Sequence, residues 1–255
     1  MIKVNDIIKI VKLIIVSGYL KNIKPLSLLM IGEVGIGKTE IITSIKSNKI
    51  KYITDLSYMG FLKILKENPK ITHIIIPDFI KITHKKRSTS DNLVSILNSS
   101  IEEGIGEIHL QNFDLDLKKG KKNIGIITST TKNSYAQQKK NWSAMGFIDR
   151  FIICSYSYSN TTIDNIIKSI NNEDYLKKVK KEELRSKGGK IDIRTKPNLN
   201  KKLNPLINKR FRKLKHLQAL AKCNALLRGS HVVENRDVEE ISRLSKYLNL
   251  DFTPI

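Results

Sequence analysis

Cysteine is almost absent: Cys154 and Cys223 are the only two in 255 residues, too few for a disulfide framework. No Cys/His cluster has zinc-ligand spacing, since His73, His84, His109, His216 and His231 lie scattered, and no structural zinc is expected. Long apolar runs are missing too. A typical one, Ile7–Val16, is broken by Lys9 and Lys12 and falls short of the roughly 20 residues that cross a bilayer. No small-residue cleavage site follows it. These absences argue against a membrane span and a secretory signal, and a cytoplasmic setting is expected.

Acid is scarce. Against 46 Lys+Arg stand 24 Asp+Glu, a formal charge of +22. The abundance of Ile, Asn and Lys and the scarcity of Ala suit an AT-rich gene, but coding bias does not explain the shortage of carboxylates. A surplus of this size suits a polyanionic partner whose counterions are released on binding, so nucleic acid is expected, with DNA favoured. The 40% hydrophobic content and mean hydropathy of −0.26 are those of an ordinary globular chain. The length allows one substantial core and a smaller satellite.

Val4, Ile7, Ile8, Val11, Ile14 and Ile15 recur at helical spacing and predict an opening amphipathic helix. Short apolar, β-branched runs predict strands at Leu26–Ile31, Lys51–Thr54, Ile71–Ile76, Ile124–Ser129 and Phe151–Ser155. Helices fall between them at Lys38–Ser47 and Tyr58–Lys66, and another, capped within Ser88–Ser90, carries Leu93, Ile96, Leu97 and Ile101. This alternation predicts an α/β fold with a parallel five-stranded sheet flanked by helices, over residues 1–157. Between residues 104 and 123 the period changes to two, with Ile108 and Leu110 in one phase and Phe113, Leu115 and Leu117 in the other, predicting an inserted hairpin whose far end is Lys118-Lys119-Gly120-Lys121-Lys122. Residues 158–204 turn to Lys, Asn and Ser and read as a basic connector with little core. Helical periodicity returns in 205–255, where Asn235 is placed as a cap, and predicts a small all-α domain.

The densest chemistry is Gly32-Glu33-Val34-Gly35-Ile36-Gly37-Lys38-Thr39, a Gly-x4-Gly-Lys-Thr loop between a strand and a helix. Glycines let backbone N–H groups close around a phosphate, Lys38 reaches the β- and γ-phosphates, and the Thr39 hydroxyl is placed for magnesium. All eight residues, Gly32 to Thr39, are therefore candidates for binding ATP. About forty residues on, Ile74-Ile75-Ile76-Pro77-Asp78 ends an apolar strand in a carboxylate suited to the same Mg2+.

With these motifs the sequence resembles the AAA+ ATPases, in the branch of the MoxR-type proteins and the minichromosome maintenance helicases. Asn92–Glu107 is similar to that branch's helix before an inserted ribbon, and Ile126–Thr131 to its sensor-1 strand. The resemblance puts sensor 1 on Thr131, with Thr130 as alternative, and the arginine finger of Gly146–Phe151 on Arg150. It puts sensor 2 of a lid domain on Arg212, with Arg210 as alternative. It implies an ATP- and Mg2+-dependent homo-oligomer, commonly a hexameric ring. It also places Lys118, Lys119, Lys121 and Lys122 of the insert toward nucleic acid. One position departs from the family: the glutamate expected after the magnesium aspartate is Phe79, which implies weak hydrolysis unless another acid, such as Glu102 or Glu103, substitutes. A DNA-acting motor or switch is the leading expectation, and a MoxR-like protein-remodelling chaperone and a slowly hydrolysing regulator are the alternatives.

Overall fold

In the computed structural model, which describes residues 4–83, 85–110, 113–115, 121–158, 160–171, 182–184, 189–207 and 211–248, the apolar runs become a single parallel sheet. It contains β1 (Ser27–Gly32), β3 (Ile50–Tyr52), β4 (His73–Ile76), β7 (Gly125–Thr131) and β8 (Phe151–Ser155), in the spatial order β3-β4-β7-β1-β8. Burial on both faces explains why these strands read as continuous apolar stretches. Neighbouring residues nevertheless go to opposite sides. Leu28, Met30, Ile75, Ile127 and Ile152 enter one core, and Leu29, Ile31, Ile74, Ile126 and Ile153 enter the other.

The first core is covered by α1 (Val4–Val16), α2 (Lys38–Thr43) and two C-terminal helices. The second is covered by α3 (Tyr58–Glu67), α5 (Arg87–Glu102) and α6 (Lys132–Ala144). Short elements complete the rest: β2 (Ile45–Lys46), α4 (Ile80–Thr83), β5 (Ile108–Leu110), β6 (Phe113–Leu115), α7 (Asn160–Asn171), β9 (Glu182–Glu183) and α8 (Pro197–Lys201). The C-terminal helices are α9 (Phe211–Leu227) and α10 (Asn235–Leu244). They share a continuous core with α1 and the sheet. Arg243 of α10 clamps the buried Asp6 of α1 in two hydrogen bonds of 2.8 and 2.9 Å, and Lys213 of α9, itself buried, donates to the Phe151 carbonyl at 2.9 Å.

Several boundaries differ from the sequence reading for local reasons. Helix α2 stops at Thr43, short of Ser47, because the Thr43 and Ser44 hydroxyls turn back onto the carbonyls of Thr39 and Ile41. Ile45-Lys46 then pairs with Glu182-Glu183. Helix α5 starts at Arg87, before the Ser88–Ser90 cap, and Lys86 at its N-cap makes no side-chain cap bond. Helix α10 is capped by Glu234 in a reciprocal box with Asp237, so Asn235 is its first helical residue. The connector is richer in core than its composition suggests, since Ile193, Leu199 and Leu203 are buried.

The insert is also arranged differently. Its strands pair in the register Ile108↔Leu115, His109↔Asp114 and Leu110↔Phe113, so the lysine run follows the second strand and does not join the two strands. Lys118 and Lys119 lie outside the described residues. Lys122 sits at the foot of the insert, bridged to Ile105, with Nζ on the Asn68 carbonyl at 3.1 Å and burial holding its pKa down to about 8. Lys121 is exposed beside Gly104 at the same foot. Neither is at a tip. Among the described residues no helix is long and apolar enough to cross a membrane.

One buried group sets an acid limit on this fold. His73 is fully buried at the start of β4, with Nε2 3.2 Å from the Leu26 carbonyl and Nδ1 3.0 Å from the Thr72 hydroxyl. Burial lowers its pKa to about 4 from 6.5. The unfolded chain therefore takes up this proton first as pH falls, and native stability drops from pH 6.5 down to about 4. The loss from His73 is about 3 kcal/mol. Urea unfolding at stepped pH should show this decline, and His73→Gln should flatten it.

Candidate nucleotide-binding site

The Gly32–Thr39 loop leaves the carboxyl end of β1, whose neighbours are β7 and β8. Ligand crevices of open parallel sheets lie at such carboxyl ends. Gly35 and Gly37 take left-handed φ values of +81° and +73°, a region in which a side chain is strained. Gly32 serves a different need: a Cβ there would fall 2.3 Å from Ile36 Cδ1. The loop is held from outside by Tyr156, beyond the end of β8, whose hydroxyl donates to the Ile36 carbonyl at 3.0 Å. Gly37 caps α2 without a side-chain bond, which leaves the first N–H groups of that helix for an anion.

Lys38 folds back over the loop, its Nζ on the carbonyls of Gly32 at 3.1 Å and Glu33 at 2.5 Å. Burial lowers its pKa, while Glu33 and Asp78 draw it back up. A cation kept by two carbonyl oxygens and partly desolvated is ready to exchange them for phosphate oxygens.

Lys38, Thr39, Asp78, Thr130 and Thr131 line one cleft of about 680 Å³, together with the loop from Val34 to Gly37. The sheet register explains the meeting. Gly32 pairs with Thr131 and Ile31 with Thr130, and β4 lies beside β7 with Ile76 opposite Thr128. The end of β4 is pinned by three bonds to β7: Thr128 Oγ1 to the Ile76 carbonyl at 2.6 Å, Ser129 Oγ to the Pro77 carbonyl at 2.7 Å, and Phe79 N to the Ser129 carbonyl at 3.0 Å. Asp78, between those anchors, accepts from Ile80 N at 3.1 Å.

The two threonines are not equivalent. The Thr131 hydroxyl caps α6, accepting from Ser134 N at 3.2 Å and donating to Ser134 Oγ at 3.0 Å. The Thr130 hydroxyl is buried with no hydrogen-bond partner among the described residues. A buried hydroxyl left unspent beside a polar cleft is the one available to a ligand or water.

Phe79 does not face this cleft. It is fully buried, stacked on Phe147 and edge-on to Trp142, each at 5.5 Å between centroids. The carboxylates that line the cleft are Glu40 and Asp78. Glu102 and Glu103 are remote from it, at the C-terminal end of α5 beside Arg150, and so do not supply the missing acid.

Arg150 and Arg212 are likewise elsewhere. Arg150 precedes β8, and Phe151 pairs with Ser27 at the start of β1. Five residues of strand, about 16 Å, separate that end from Gly32. Arg212 sits with Arg150, 3.3 Å from Glu102. The structure thus brings Lys38, Thr39, Asp78 and the two threonines together, and places both arginines at the opposite end of the sheet. Arg210 lies outside the described residues.

Sequence reasoning missed the apolar part of the cleft. Val4 and Ile8 of α1, Tyr158 beyond the end of β8 and Ile166 of α7 add apolar surface to the lining of the same cleft, the kind of surface on which a base packs. The i, i+4 spacing of Val4 and Ile8 was the available signal, but it reads equally as core. Neither a protein-family model nor a curated protein matches the chain.

Proposed function

We propose that the chain is an AAA+ type ATP-binding protein that works as a homo-oligomer on nucleic acid, as a motor or a switch. The observation that carries the nucleotide reading is the convergence, at the carboxyl ends of β1, β4 and β7, of Lys38, Thr39 and Asp78 in one cleft large enough for a nucleoside triphosphate. In this reading Lys38 holds the β- and γ-phosphates, the loop N–H groups cradle them, and the base lies against Val4, Ile8 and Tyr158. The donor set suits Mg2+, with the Thr39 hydroxyl and the Asp78 carboxylate as protein ligands and the remainder from phosphate and water. The ion would neutralise charge on the phosphates. Thr130, with its unspent hydroxyl, takes the sensor role ahead of Thr131, which is committed to capping.

Oligomerisation enters through Arg150. Its own loop is beyond reach, so a finger role requires the nucleotide of a second copy. The absence of a carboxylate at Phe79 favours slow turnover, which suits a switch. The charge of +22 supports nucleic acid over a protein client. Among the described residues the C-terminal helices line none of the nucleotide cleft, so a lid role for them, with Arg212, would likewise require the nucleotide of a second copy.

The test is complementation between defective copies. Lys38→Ala and Arg150→Ala should each be inactive in single-turnover ATP hydrolysis, and a mixture should recover activity, because one copy lends its arginine to the other's intact loop. Recovery absent across all mixing ratios, with each variant folded, would contradict the shared site.

A further inference from the structure

The second large cavity, about 620 Å³, lies at the amino ends of β1 and β8, the end of the sheet away from the glycine-rich loop. Its walls are the turn before β1, the last residues of α5 and one face of α9. Lys24, Arg150, Arg212, Lys215 and Lys222 all line it, and the only carboxylate among its lining residues is Glu102.

Three of these cations crowd that one side chain. Arg212 Nη2 is 3.3 Å from it, Lys24 Nζ 3.7 Å and Arg150 Nε 4.0 Å. Arg150 Nε is buried without a hydrogen-bond partner among the described residues. Arg150 also meets Glu103 at 3.7 Å and donates to the Gly146 carbonyl, and Lys24 donates to the Glu102 carbonyl, but five cations still face one lining carboxylate, and a phosphate offers them more acceptors than a carboxylate does.

We infer that this cleft binds a single strand of nucleic acid, with its phosphodiesters on the cations of α9 and a base on Phe211. The inference rests on the nucleic-acid reading above and names the surface that carries it, which is not the inserted ribbon. Two features select a polymer. From Arg212 to Lys222 the cations span ten helical residues, about 15 Å, longer than the phosphate tail of one nucleotide. At the head of the track Phe211 is 81% exposed, an aromatic ring with its face open to solvent. Spacings of four, three and four put Phe211, Lys215, Gln218 and Lys222 on one stripe of the helix. A basic track headed by one stacking ring combines the backbone attraction and the base stacking that hold single strands with little sequence preference.

The experiment is fluorescence anisotropy of a labelled oligodeoxythymidine over a range of salt, using wild type, Lys215→Ala/Lys222→Ala and Phe211→Ala. The substituted side chains lie outside the nucleotide cleft, so binding of an ATP analogue, followed on the same samples, should be unchanged in both variants. The double variant should bind the oligonucleotide about tenfold or more weakly, and its slope of log affinity against log salt should flatten by about 1.4, roughly 0.7 for each lost contact. Phe211→Ala should weaken binding about tenfold with the slope kept. Unchanged affinity and slope in the double variant would overturn the assignment to this cleft. So would variants that lose self-association in sedimentation while keeping oligonucleotide affinity, since the surface then belongs to a second copy. A wild type that binds the ATP analogue but no oligonucleotide at low salt would overturn the inference and leave the nucleotide site standing.

Discussion

Replacing Phe79 by Ala should cost about 3–5 kcal/mol of folding stability and lower the melting temperature by on the order of 10 °C. The ring is fully buried where Phe147, Trp142 and the end of β4 meet, so truncation removes contacts that its neighbours cannot re-form without moving backbone pinned to β7. Phe79→Glu should be worse. A carboxylate at that point faces aromatic carbon, and an ionised group without donors is expensive to bury. The substitution that would supply the glutamate implied by the resemblance should therefore unfold the protein and leave turnover no faster. Thermal melts of both variants check this. A Phe79→Glu protein that melts within about 2 °C of wild type, or hydrolyses ATP faster, would show that the side chain reaches the cleft after all.

Lys38→Ala should do the opposite, leaving the fold and removing the ligand. Lys38 is tied only to two loop carbonyls, so its loss should move the melting temperature little. Its ammonium would make two charge-assisted contacts to a triphosphate. Losing both removes about 3 kcal/mol of binding, on the order of a hundredfold in affinity. Equilibrium titration of a non-hydrolysable ATP analogue gives the number directly.

The contrast between these two positions shows what a sequence makes legible. The glycine-rich loop is readable because its chemistry is local: a strand, a turn with forced φ values and a helix follow one another within Ser27–Thr43. The five strands are readable as β-branched runs, and the chain forms them within a few residues of the expected bounds. Their order was not legible, because it depends on which crossover packs against which face. Phe79 looked like a vacancy in an active site because its partners, Trp142 and Phe147, lie more than sixty residues away.

The same distance effect governed the arginines. The resemblance gives Arg150 and Arg212 separate roles, as finger and as sensor 2, and only the packing of α9 against β8 shows that they share Glu102. The lysine run of the insert read as a tip because it follows the last alternating residue, but the ladder Leu110↔Phe113 closes the hairpin earlier. The choice between Thr130 and Thr131 turned on a hydrogen bond to Ser134, a capping interaction that the Thr-x-x-Ser spacing could have signalled.

The most direct test of the central claim is calorimetric titration of a magnesium-bound, non-hydrolysable ATP analogue into wild type and Lys38→Ala, with melting curves recorded in parallel. The account predicts one site per chain in wild type, and a gain of about 2.7 kcal/mol in stability at a ligand concentration one hundred times Kd. It predicts binding weakened about a hundredfold in a Lys38→Ala protein that melts like wild type. No binding by folded wild type, or equal binding by the two proteins, would contradict it.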